Sequence, residues 1–134
     1  MRGGGVFVAD SSVWIDSYAG RWSRETGLLR QAIDRDRQVA LCGPILQEVL
    51  QGFRDGPTFL REMNTLMKFT LFETSRWTFL RAASLFRFLR RKGATINSFD
   101  TTIAAVCFEQ GMPLLTCDRK GFEPMAKYAG LRLL

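Results

Sequence analysis

Hydrophobic positions fall in two rhythms along the chain. Short unbroken apolar runs, VFVA (6–9), QVALCG (38–43) and MPLLTC (112–117), read as buried strands, with FTLFE (69–73) a shorter fourth. Between them the spacing changes to three and four, the mark of helices. SSVWIDSYAG predicts a helix capped by Ser11 or Ser12 and closed by Gly20, and a polar helix follows over 24–35. PILQEVLQGF predicts a helix with Pro44 in its first turn; others run from Pro57 to Lys68 and from Arg76 to Lys92, the last stopped by Gly93. A further helix starts at Asn97 or Ser98, RKGFEPMAKYAG reads as a loop with a helical turn, and LRLL as a closing edge strand. The leading MRGGG is set aside as either a flexible terminus or an addition to the native chain. No repeat, linker or low-complexity tract interrupts the pattern, so residues 1–134 are expected to form one domain. Strands alternating with helices predict an α/β fold, a mostly parallel central sheet flanked by helices.

One helix carries an anomaly. In INSFDTTIAAVCF (96–108), Ile103, Ala104, Cys107 and Phe108 share a face, and counting back three and four from Ile103 and Ala104 reaches Asp100. A carboxylate thus heads the stripe expected to face the core, where an unpaired charge is expensive. Two strands also end in an aspartate, VFVAD at Asp10 and PLLTCD at Asp118, and binding sites of parallel sheets lie beyond the strands' carboxyl ends. Glu48 borders the arc formed by Ile45, Leu46, Val49 and Leu50, with Gly52 four residues on, leaving room on the same face. Each acid has a plainer explanation. Asp10 suits a helix N-cap, Asp118 a turn, Glu48 a solvated border, and Asp100 a first turn favoured by the helix dipole at about 0.3–1 kcal/mol.

Composition narrows the chemistry. The chain is 46% hydrophobic and 24% charged, as in ordinary globular domains. No apolar run approaches the roughly 20 residues of a membrane span, and the N-terminus lacks the apolar core of a signal peptide, so a cytoplasmic protein without membrane contact is expected. Cys42, Cys107 and Cys117 are odd in number, lie in apolar segments and lack C-x-x-C spacing, which predicts buried, reduced thiols. The absence of histidine removes Ser-His-Asp and Cys-His schemes and argues against zinc. A net charge of +6 favours polyanionic partners, nucleic acid first. Were Asp10, Glu48, Asp100 and Asp118 to share a pocket, each like-charged pair about 5 Å apart would repel by about 3 kcal/mol at an effective dielectric near 20. Against a domain stability of about 5–15 kcal/mol, such a cluster needs protons or divalent cations. An all-oxygen, carboxylate-rich set points to Mg²⁺ or Mn²⁺.

VFVADSSVWID, PILQEVLQGFRD and FDTTIAAVCFEQGMPLLTCDRKGF, in that order, resemble the PIN domain, and within it the VapC-type toxins of bacterial toxin–antitoxin pairs. The resemblance implies a PIN-like three-layer sandwich and a Mg²⁺- or Mn²⁺-dependent endoribonuclease leaving 5′-phosphate and 3′-hydroxyl ends. It carries the acidic, metal-binding site onto Asp10, Glu48, Asp100 and Asp118, and suggests supporting hydroxyls at Ser12 and Thr116. It further implies a VapB-like antitoxin that blocks the site, and a homodimer. Asp16, Asp55, Glu109 and Glu123 fall outside this set, with Asp16 on the solvent side of its helix. Candidate RNA contacts are Arg119 and Lys120 beside Asp118, and Arg87, Arg90, Arg91 and Lys92 before the Asp100 helix; Trp22 could stack on bases, while Trp14 and Trp77 are expected in the core or an interface. The competing readings are a non-catalytic RNA-binding or regulatory PIN-like module, and a response-regulator-like phosphoacceptor. The latter needs an acidic pair after the first strand and a lysine at a late strand end, where this chain has ADSS and TCD.

Overall fold

The computed structural model describes residues 6–35 and 38–134. MRGGG lies outside them. The elements run β1 (Phe7–Ala9), α1 (Ser11–Tyr18), α2 (Arg24–Asp34), β2 (Val39–Cys42), α3 (Gly43–Leu50), α4 (Gly56–Leu66), β3 (Thr70–Phe72), α5 (Arg76–Arg91), α6 (Ser98–Gln110), β4 (Leu114–Leu115) and α7 (Arg119–Ala129). The four strands form one parallel sheet in the order β3-β2-β1-β4, flanked by the seven helices. Phe7 pairs with Val39, Val8 with Leu114 and Ala9 with Leu115. The expected α/β architecture is therefore present, with β1 and β2 as its central strands. Both are buried along their whole length, as fits a parallel sheet covered on both faces.

Side chains from all these elements meet in one core, where Val8, Leu29, Ile45, Leu89, Ile103, Leu114 and Phe122 are fully buried. α6 departs from the single-stripe expectation: every residue from Thr101 to Cys107 is buried, while Phe108 is only partly so. It packs against α3, α5 and α7, and a helix enclosed on all sides needs no polar face.

Two differences occur near the C-terminus. The apolar run 112–117 contributes only Leu114–Leu115 to the ladder, and LRLL makes one parallel bridge, Leu133 to Leu114. The Leu114 N–H donates to Arg132 O and the Leu134 N–H to Leu114 O, so the segment does cover the edge, though too briefly to be a strand. Where a loop with one helical turn was expected, α7 is a helix of 11 residues that runs through Pro124. Proline forfeits one backbone hydrogen bond, but Phe122 and Met125 are fully buried on either side of it, and their packing holds the helix.

Cys42 and Cys107 are buried and Cys117 is half-buried, all three as free thiols. Burial pushes Cys42 up to about 12 and Cys117 up to about 11, so none is a ready thiolate near neutral pH.

Trp14 ties α1 to the end of β1. It is buried, stands edge-on to Phe69 with ring centroids 5.5 Å apart, and its indole N–H donates to Ala9 O at 3.1 Å. Trp14→Phe keeps an aromatic ring but removes that donor. The expected loss is about 1–3 kcal/mol, read as a lower urea midpoint with an unchanged m-value.

Candidate active site

Four segments distant in sequence bring the four acids to the carboxyl edge of the sheet. Asp10 follows β1 directly, and its N–H donates to Leu115 O at 2.8 Å, which pins it to the end of β4. It occupies the N-cap position of α1, yet its side chain caps nothing. The carboxylate instead turns into the site, where Oδ2 accepts from Ser12 Oγ and Thr116 Oγ1, both at 2.9 Å. Those hydroxyls in turn accept backbone protons: Cys117 N–H donates to Ser12 Oγ and Asp118 N–H to Thr116 Oγ1. A hydroxyl has one proton to give, so both are committed to Asp10, and the network fixes its carboxyl group while joining the ends of β1 and β4.

Ser11 links the next acid. Its Oγ lies 2.9 Å from Glu48 Oε1 and 3.5 Å from Asp10 Oδ1, so its single proton goes to Glu48 and the hydroxyl bridges β1 to α3. In the sequence Ser11 reads only as a helix cap, and its position beside Asp10 is the one signal of this role. Gly52, expected to clear space above Glu48, lies beyond the end of α3. A Cβ there would make only ordinary contacts, the nearest at 3.5 Å to Val49 O.

Asp118 sits at the N-cap of α7, where Oδ1 accepts from the Gly121 N–H at 3.2 Å. Capping and site position thus coexist, because the other oxygen, Oδ2, points towards Asp100. Gly121 is the second residue that sequence reasoning missed. A Cβ placed on it would come 2.5 Å from Asp118 Oδ2 and 3.3 Å from Asp100 Oδ2, so both carboxylates flank the same open point. A glycine in the first turn of a helix, where it weakens the helix, was the overlooked clue.

Asp100 occupies the first turn of α6, behind the Asn97 cap. It is half-buried, and no hydrogen bond or ion pair reaches its carboxyl among the described residues. Burial first, then the charges of Asp10, Asp118 and Glu48, push it from 3.8 up to about 7. Asp100 therefore feels the charge of all three other acids. Among the described residues none of the four is paired with a basic side chain; the ion pairs are Asp16–Arg21, Glu25–Arg24, Glu62–Arg61 and Glu109–Arg81. No group of three His, Cys, Asp or Glu side chains among those residues is drawn together closely enough to hold a metal ion as it stands. Coulombic coupling reaches further than a coordination bond, so the acids form an open cluster rather than a ready-made cage. Oxygen donors only, no ion pair to a basic side chain among the described residues, an unpartnered carboxyl and the clearing at Gly121 fit a hard divalent cation.

The other candidates lie elsewhere. Asp16 is half-buried and forms an exposed ion pair with Arg21, Glu109 accepts from Thr78 Oγ1, and Asp55 caps α4, which holds its carboxyl below its ordinary value. Glu123 is exposed on α7. Arg119 donates to Leu134 O at 2.8 Å, Lys120 is exposed beside a cavity along α7, and Arg91 is exposed in the last turn of α5. Trp77 is 68% exposed and not in the core, whereas Trp22 projects into solvent under Arg30, 4.6 Å from the ring centroid.

A wholly parallel α/β sheet with an acidic, all-oxygen cluster at its carboxyl edge is thus the class of protein defined here. Comparison with known proteins narrows it: residues 7–128 match the PIN domain, and the chain belongs to that family. It is 26% identical to the Mycobacterium tuberculosis protein named Ribonuclease VapC11 over 132 residues, 95% of this chain and 96% of that protein. The fold is similar to a chain of a toxin–antitoxin complex from Klebsiella pneumoniae, with a TM-score of 0.72 and 22% identity over 96% of this chain and 95% of that one. It is also similar to a chain of DNA-bound VapBC from Salmonella typhimurium, with a TM-score of 0.77 and 16% identity over 97% of each chain.

Two predictions follow from the geometry. The carboxyl of Asp100 is raised, so its contribution to stability is complete below its ordinary value and is lost as pH climbs through about 7. In EDTA the melting temperature should fall across that window, and Asp100→Asn should flatten the decline and raise the melting temperature at pH 8. Gly121→Ala should stay folded, because the clash is with a movable carboxylate, but it should displace Asp118. Titration calorimetry with Mn²⁺ should show about tenfold weaker binding or worse, the scale seen when a ligand's support is removed.

Proposed function

We propose that this chain is a Mg²⁺- or Mn²⁺-dependent endoribonuclease acting in the cytoplasm as the toxin of a VapBC-type pair, and that residues 1–134 are one PIN domain. The observation that carries the reading is Asp100: a half-buried carboxyl without a partner, facing three further acids brought from separate segments. No packing or capping need accounts for gathering four such groups, and relatives named as VapC ribonucleases support the assignment.

Asp10, Asp100 and Asp118 would hold the metal, with Glu48 as a further ligand or the group that orients the attacking water. A divalent cation there supplies charge to the scissile phosphate and makes water a better nucleophile. The chain's own residues do the rest. Ser12 and Thr116 hold the Asp10 carboxylate in place by donating to it, and Ser11 aims Glu48. Glu48 can then accept the proton of a water attacking phosphorus in line as the P–O3′ bond breaks, and the departing 3′ oxygen takes a proton from solvent, leaving 5′-phosphate and 3′-hydroxyl ends. Such hydrolysis makes no use of the 2′-hydroxyl, so preference for RNA resides in the surrounding surface.

The net charge of +6 supports a polyanionic substrate. A VapB-like antitoxin and a second copy of the chain are the proposed protein partners. Exposed Trp77, Phe79 and Leu80 on α5, and Ile15, Tyr18 and Leu60 on α1 and α4, supply apolar surface for such contacts. No helix among the described residues is long and apolar enough to cross a membrane.

With purified protein and total cellular RNA, Mg²⁺ should produce fragments bearing 5′-phosphates, and excess EDTA should stop the reaction. Asp10→Asn and Asp100→Asn should each lower the rate by at least about a hundredfold while keeping the wild-type circular dichroism spectrum. Cleavage undiminished in either variant or in EDTA would rule the reading out. RNA binding without any cleavage would favour the non-catalytic module.

A further inference from the structure

Away from the acids, one surface combines an aromatic ring with cations in a way the fold does not require. Tyr128, near the end of α7, is 38% exposed. Lys127 Nζ lies 5.1 Å and Lys92 Nζ 5.7 Å from its ring centroid, and Lys92 arrives from a different element, the C-cap of α5. Lys120, Glu123, Pro124, Lys127 and Tyr128 line a cavity of about 220 Å³ beside it. Among the described residues, none of the three ammonium groups makes an ion pair or a hydrogen bond, though that of Lys92 also lies 5.5 Å from the Phe88 ring centroid. Glu123 stands four residues before Lys127, the spacing at which a solvated helix face pairs its charges, yet the two are not paired. Three ammonium groups against one carboxylate leave the strip cationic.

Its position relates it to the acids. Tyr128 is seven residues after Gly121, two helical turns along the same face of α7, or about 10.5 Å at 1.5 Å per residue. Gly121 abuts Asp100 and Asp118, so the strip leads directly away from the cluster.

We propose that Tyr128, Lys92 and Lys127 form a subsite for a single-stranded nucleotide flanking the bond to be cut, the ring stacking its base and the lysines holding adjacent phosphates. The proposal rests on the ribonuclease reading and deepens it. Aromatic rings interleaved with cations are how proteins hold single strands without reading sequence, because every base offers a flat face. An exposed lysine–ring contact is weak beside base stacking, and each lysine can swing from ring to phosphate on its flexible stem.

The test separates binding from cleavage. A fluorescein-labelled, mixed-sequence single-stranded RNA is titrated by anisotropy in EDTA against the Asp100→Asn protein, alone and with each further change. Adding Tyr128→Ala should weaken binding about five- to a hundredfold, and Tyr128→Phe should leave it unchanged. Changing Lys92 and Lys127 together to Gln should reduce the slope of log affinity against log salt by about 1.4. Unchanged affinity in Tyr128→Ala, an unchanged salt slope in the double variant, or no binding of this RNA at all would overturn the subsite. If the otherwise native chain cleaves RNA while Tyr128→Ala binds normally, the subsite falls and the ribonuclease stands. Tyr128-dependent binding without Mg²⁺-dependent cleavage removes the ribonuclease and, with it, the subsite's place beside a cut bond, leaving a strip that only binds single strands.

Discussion

Mutual repulsion among Asp10, Glu48, Asp100 and Asp118 is the constraint around which the carboxyl edge of the sheet is organised. Asp100 registers it most directly, its proton retained by burial and by the three other charges. A fold that gathers these groups holds them against their own electrostatics, and the surrounding donors show how. Three hydroxyls, from Ser11, Ser12 and Thr116, direct their protons at Asp10 and Glu48, while the Gly121 amide does the same for Asp118. Asp100 alone receives none. The cluster therefore sets three hydrogen-bonded carboxylates beside one without a donor, whose proton is held up to about 7, an arrangement that a cation would complete.

Parallel topology makes this gathering possible. Strands that all run one way place every carboxyl end on one edge, so residues 10 and 118, remote in the chain, become neighbours across the β1–β4 pair. The first turns of α3 and α6 then open towards that edge. α6 is enclosed from Thr101 to Cys107, so its first turn cannot drift from the site without disturbing the core. Stability and function are thus coupled through one helix.

Much of this was legible in the chain. The strand runs at 6–9 and 38–43, the long helix from Arg76, and the four acids are local patterns, and local patterns survive folding when hydrophobic burial reinforces them. Pro124 misled because local propensity argued for a break, whereas burial of Phe122 and Met125 outweighed one lost hydrogen bond. LRLL misled in the opposite direction: its composition suits a strand, but only Leu133 has a partner in register.

By itself the sequence determined the alternation of strands and helices, the exclusion of histidine chemistry, and which carboxylates sit at strand and helix ends, because each depends on residue identity and short-range spacing. Only the tertiary structure decided that Asp10 turns away from the helix it could have capped, that Ser11 serves Glu48, and that Gly121 keeps a clearing between Asp100 and Asp118. Those outcomes depend on distances between segments as far apart as residues 10 and 116. Such distances are set by how the whole core packs, and no local window of the chain contains them.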